Sequence, residues 1–224
     1  MGQEHKLQIV LSDEPSFQRE VWLVDAVNLG DSWIEDSDST GYDIRDAEIA
    51  GFSGGAGLLM ETGDSSPLED QYIEATKRCA MGRATSLMCR FVVSPHDVST
   101  IGLMRWSIWH ADAARLYKLG FEWTPNSGAL KYLNSSGSYT TISGIGHTCP
   151  DRAWNDVEFR FDMAAHEYTD ISFGGTLVSL EGIAYQNSAA NTQKFTELIL
   201  WHDNAGNAAS VSYWDNFYIG VPKA

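Results

Sequence analysis

The stretch Trp154-Asn-Asp-Val-Glu-Phe-Arg-Phe-Asp-Met163 decides the fold class. Successive side chains of a strand point to opposite faces of its sheet. A period of two therefore sorts this run into Val157, Phe159, Phe161 and Met163 on one side and Asp156, Glu158, Arg160 and Asp162 on the other. An apolar row backed by a charged row marks a strand with one buried face and one wet face, as in antiparallel sandwiches. A helical period would mix the two rows.

The same alternation spreads outward along the chain. In Arg115–Thr124, Tyr117, Leu119, Phe121 and Trp123 form the inward row and Lys118 and Glu122 the outward one. In Ile101–His110, Met104, Trp106 and Ile108 oppose Arg105, Ser107 and Trp109; in Phe195–Asp203, Leu198 and Leu200 oppose Glu197, Ile199, Trp201 and Asp203. Further runs rich in aromatic and β-branched residues fall at Leu7–Leu11, Val21–Val27, Tyr42–Phe52, Gly57–Glu61, Ser86–Val93, Ala129–Leu133, Tyr139–Ser143, Tyr168–Phe173, Thr176–Leu180 and Ser210–Gly220. Clusters of Gly, Asn, Ser and Asp separate them, and Asn134-Ser-Ser-Gly137 is expected to turn a hairpin. The best helix candidate is the short segment from Pro67 to Ala80. No Pro-rich linker or repeat divides the chain. The expectation is one all-β domain over residues 1–224, a two-sheet antiparallel jelly-roll sandwich, with residues 1–20 as an N-terminal arm or edge strand.

Charge narrows the partners. Thirty Asp and Glu against 15 Lys and Arg give a formal net charge of -15, which repels nucleic-acid phosphates and anionic membrane surfaces. No run approaches the roughly 18 apolar residues that a membrane-spanning helix needs. Neither nucleic acid nor membrane insertion is expected. The opening MGQEHKLQIVL has neither the basic nor the long apolar region of a secretory signal. Synthesis in the cytoplasm is the expectation, with a virion or cell surface as destination if another route exports the chain. Cys79, Cys89 and Cys149 are odd in number and lack C-x-x-C spacing, so they read as buried free thiols.

Catalytic motifs are sparse. There is no Gly-x-Ser-x-Gly elbow and no His-Glu-x-x-His pair, and Gly54-Gly-Ala-Gly57 runs on into a strand rather than opening a helix that would cradle phosphate. Asp156 and Glu158 point the same way about 7 Å apart by strand rise, a separation that glycoside hydrolysis permits. Arg160 beside them holds both ionised, which favours a solvated face. Asp36-x-Asp38-x-Thr40-Gly41 has the alternate oxygen ligands of an opening calcium loop, but Ala47 stands where the closing carboxylate belongs.

Aromatic rings are the better lead, because a flat ring stacks on the apolar face of a sugar while polar neighbours bond its hydroxyls. Trp106 and Trp123 lie in apolar rows and belong to the core. Trp109 and Trp201 lie in mixed rows and are the candidate platforms, with Arg90, Arg105, Lys118, Glu122, Glu158 and Arg160 expected to share their face.

Trp154-Asn-Asp-Val-Glu-Phe-Arg-Phe161 and the closing Val211-Ser-Tyr-Trp-Asp-Asn-Phe-Tyr-Ile219 resemble strands of the concanavalin A-like lectin and glucanase superfamily, in its laminin-G-like and carbohydrate-binding branches. The resemblance implies two curved sheets, ligands on a concave face or rim, and a structural calcium ion, for which Asp25 with Asp215 or Asn216 would be a second site. Catalytic members carry a Glu-x-Asp-x-x-Glu strand motif, and Asp156-Val-Glu158 lacks that spacing. A non-catalytic, lectin-like module binding a glycan or a protein surface is therefore expected. Two alternatives stand beside it: a structural or decoration protein of a virion or other assembly, including a homo-oligomer, and, further off, a polysaccharide hydrolase or lyase.

Overall fold

Strands make up all the helical or extended structure among the residues described by the computed structural model: 22–24, 33–37, 43–47, 57–62, 72–78, 85–112, 114–189, 195–205 and 209–220. One sheet runs in the order β13 (Thr176–Ala184), β12 (Glu167–Phe173), β11 (Asn155–Asp162), β6 (Ser86–Pro95), β16 (Val211–Gly220), β4 (Gly57–Glu61) and β3 (Asp43–Ala47), with β1 (Trp22–Val24) also paired to β16. The other runs β10 (Tyr139–Thr141), β9 (Ala129–Leu133), β8 (Arg115–Thr124), β7 (Ile101–Ala111), β15 (Phe195–Asn204), β5 (Tyr72–Arg78) and β2 (Trp33–Ser37), with β14 (Gln186–Ala189) on the flank of β8. Among the described residues every pairing is antiparallel. The chain is an all-β jelly-roll sandwich.

Alternation places the core where the sequence assigns it. Val157, Phe159 and Phe161 of β11 are fully buried, as are Trp106 and Trp123. Trp106 sits at the centre of the interface between sheets, edge-on to Phe91 at 5.5 Å and beside Phe121 and Phe173. Asn134 caps the β9–β10 turn with its side chain, which accepts the amides of Ser136 and Ser138, and Gly137 takes the left-handed conformation (φ 86°) that the turn requires. Cys89 and Cys149 are both buried, as expected of cysteines that pack as small apolar side chains.

Three elements differ from expectation. Tyr72–Arg78 is a strand, not the core of a helix from Pro67 to Ala80. Ile73 and Ala75 point inward and are fully buried while Tyr72 and Glu74 are part-exposed, a period of two that pairing with β15 and β2 enforces. Trp33–Ser37 and Gln186–Ala189 are strands too brief to show an alternation, and they are defined by backbone pairing with β5 and β8. The run Leu7–Leu11 and the arm 1–20 lie outside the described residues, as does Cys79.

Two buried polar groups tie the sheets together. Tyr168 of β12 reaches across the core, where its hydroxyl accepts the Gly120 amide at 2.9 Å and donates to the Leu133 carbonyl at 2.8 Å. His202 of β15 meets Ser212 Oγ through Nδ1 at 2.7 Å and Ser210 Oγ through Nε2 at 2.5 Å. Trp214 Nε1 donates to Ser212, and Thr62 Oγ1 stands 3.1 Å from Ser210 Oγ, so each heteroatom of this dry cluster has a partner. Full burial depresses the His202 imidazole to about 3, and it is neutral.

Candidate functional site

Register draws one line of residues across the β7/β8 sheet: Glu74 of β5, Trp201 of β15, Arg105 of β7, Glu122 of β8, Lys131 of β9 and Thr141 of β10. These side chains stand on the face turned away from the core. At the centre of the line Arg105 donates through Nε (2.9 Å) and Nη2 (2.8 Å) to one Glu122 oxygen, Oε2, while Lys131 Nζ donates to the other, Oε1, at 2.6 Å. Glu122 is buried, its side chain only 6% exposed, whereas the two cations remain about one third exposed. Burial pushes the Glu122 carboxyl up, but the hydrogen bonds and charges of Lys131 and Arg105 outweigh it and hold the group below the usual glutamate range.

Aromatic rings brace this triad. The Arg105 guanidinium lies 5.1 Å from the Tyr139 ring centroid and 5.6 Å from that of Trp201, and Tyr72 stacks on Trp201 at 3.7 Å with an 11° interplanar angle. Burial raises the Tyr139 phenol to about 12 despite the pull of Arg105, so it remains a neutral donor at physiological pH. Arg105 Nη1 has no hydrogen-bond partner among the described residues, and Lys131 gives only one of its three protons.

A parallel line lies four residues along the strands, roughly 13 Å away by strand rise. It contains Glu197, Trp109 and Lys118. Lys118 Nζ sits 3.6 Å over the Trp109 ring centroid, and burial lowers its ammonium from the ordinary lysine value. Between the lines runs a low floor of Ile199, Ser107 and Gly120. A side chain at Gly120 would lie 2.9 Å from Ser107 Cβ, so glycine keeps this floor flat.

The structure brings Trp109, Trp201, Arg105, Lys118 and Glu122 onto one face but corrects the rest of the expected site. Arg90, Glu158 and Arg160 belong to β6 and β11 and stand on the outer face of the opposite sheet, with the core between. There Arg90 pairs with Asp156 at 3.0 Å, both about half exposed, while Arg160 pairs with Glu158 at 3.0 Å and lies 3.9 Å from Asp170, a less exposed group. Glu122 is not the wet residue that alternation suggests, because Arg105, Lys131 and Tyr139 close over it. Trp201 offers no open ring for a sugar, since Tyr72 and Arg105 already occupy it. Of the calcium candidates, Asp36 falls within strand β2, while Asp38, Thr40 and Asp25 lie outside the described residues. Asp215 is buried at a β16 bulge, where its carboxylate accepts the amide of Asn216, a residue with φ of 55°. Among the described residues no group of three His, Cys, Asp or Glu side chains is placed to hold a metal.

Sequence reasoning missed Tyr72, Tyr139 and Lys131. The signal for Lys131 was present: a four-residue loop between Thr124 and Ala129 puts it opposite Glu122.

A scan of protein-family models gives no match, and neither does a sequence comparison with curated proteins. Solved structures match by shape. The cellulose-induced protein Cip1 superposes at a TM-score of 0.52 with 12% identity, over 84% of this chain and 91% of that one. The β-glucanase of Bacillus licheniformis matches at 0.48 and 9% identity, over 95% and 100%. A sialidase matches at 0.47 and 11%, over 89% of this chain, which spans only 19% of the sialidase's length. At such identities the likeness to Cip1 shows the fold alone: a two-sheet jelly-roll sandwich.

Proposed function

We propose that this chain is a non-catalytic glycan-binding domain whose site is the outer face of the β7/β8 sheet between the Arg105 and Trp109 lines. One observation carries the reading. Arg105 is fixed by a buried carboxylate and two aromatic rings, yet keeps donors unengaged at the surface. A preorganised donor loses little entropy on binding and matches the many oxygens of a sugar. Trp109 adds a ring on which the Lys118 ammonium rests, and a pyranose can displace that side chain.

The acidic groups support binding over hydrolysis. Both Glu122 oxygens are engaged by cations, so the carboxylate is ionised at neutral pH and is no proton donor. Asp156 and Glu158 are each held by an arginine on the other face. The test is titration of tryptophan fluorescence against a panel of neutral and acidic polysaccharides. Saturable quenching that weakens in Arg105→Ala and Trp109→Ala is expected; a flat response to every glycan in the panel sinks the reading.

A further inference from the structure

Resting on that reading, we infer that the ligand is a polyuronate, a glycan carrying a carboxylate on each repeating unit, with one carboxylate seated between Arg105 and Lys131. In a chain of formal charge -15, two cations converge on one carboxylate at this spot and leave a net positive charge. Lys131 and Arg105 are the charged groups that act on Glu122, so the triad itself keeps an excess of positive charge, while Glu74 and Glu197 stand further along the same face beside Trp201 and Trp109.

Geometry then selects the anion. Arg105 uses its side edge, Nε and Nη2, on Glu122 Oε2. The end edge, formed by Nη1 and the second Nη2 proton, remains a planar fork, and two parallel N–H groups match the two oxygens of a carboxylate. Tyr139 and Trp201 flank the guanidinium and fix the plane of that fork. Lys131 is bridged to Arg105 through a single carboxyl group, so both cations fall within reach of one sugar acid. The flat floor of Ser107 and Gly120 leads from this seat to a third cation, Lys118, which lies over Trp109 and feels the charge of Glu74. A polymer that repeats its acid group suits two cationic seats separated by a smooth strip.

The test compares polygalacturonate with its fully methyl-esterified form, which keeps the backbone and removes the charge, and with dextran sulfate against dextran. Binding is read by isothermal titration calorimetry at two salt concentrations. Polygalacturonate is expected to bind saturably, more weakly at high salt, and at least about tenfold more tightly than its ester. Lys131→Met and Arg105→Lys should each reduce that affinity about tenfold, while Glu158→Gln on the opposite face leaves it unchanged. Thermal melts of each variant establish that it is folded. Equal affinity for ester and acid overturns the inference yet leaves glycan binding standing. Preference for dextran sulfate over polygalacturonate also overturns it. Binding of none of the four polymers overturns it as well, and if the wider panel is silent too, the proposed function falls with it.

Discussion

Both sheets turn charged residues outward, yet they handle charge in opposite ways. On the β6/β11 sheet, Arg90–Asp156 is an open pair with both side chains about half exposed, and Arg160–Glu158 is a partly exposed pair with Asp170 nearby. On the β7/β8 sheet, Arg105, Glu122 and Lys131 form a triad around a carboxylate that is 6% exposed, capped by Tyr139 and Trp201. Water screens the first arrangement and holds it loosely. The second is fixed in place, because a desolvated carboxylate cannot release its cations cheaply. The two faces therefore differ in how firmly their charges are held as well as in how many partners each charge has.

The extreme of the same contrast lies between the sheets at His202, and acid should reveal it first. The folded imidazole titrates near 3 whereas an unfolded one titrates near its ordinary value of 6.5, so the unfolded chain binds the extra proton between those values. Stability is therefore expected to fall as pH drops through that window, by about 1.4 kcal/mol per pH unit. Urea denaturation across pH 7 to 4 measures the slope, and a His202→Gln variant that keeps the same slope would break the assignment.

Next in size, Glu122→Ala leaves Arg105 and Lys131 facing each other and should cost about 3 kcal/mol. Asp156→Ala on the opposite sheet should cost under about 1 kcal/mol. Equal losses in chemical denaturation would erase the distinction between the faces. The Glu122 contribution also has a pH signature of its own. Its carboxyl is depressed in the fold, so the stabilisation is present above the ordinary glutamate value and disappears as pH falls through the lower folded one. The gap between wild type and Glu122→Gln should accordingly be constant from pH 7 to 5 and narrow below 4. Smallest of all, Lys118→Ala should uncover the Trp109 ring and shift its fluorescence emission while moving the melting midpoint by only a degree or two.

The inward and outward rows were legible in the sequence because a period of two is a property of each strand taken alone. Which strands share a sheet is not. Arg90, Glu158 and Arg160 read as outward correctly, but only pairing of β6 with β11 shows that they face away from Arg105. Exposure fails for a related reason: Glu122 is outward by alternation and dry by virtue of neighbours on β7, β9 and β10. The segment around Ile73 and Ala75 misled because so short a run of apolar residues fits either period, and only its neighbours β15 and β2 decide between them.

The Tyr168 hydroxyl acts as a proofreader. Its two partners, Gly120 and Leu133, belong to β8 and β9, the strands whose alignment sets Glu122 opposite Lys131. A slip of one residue in that hairpin would strand a buried phenol and a buried amide without partners, at about 1–3 kcal/mol each. The interior thus checks the spelling of a surface it never touches, and sequence drift on the outer face remains free so long as the register beneath it is kept.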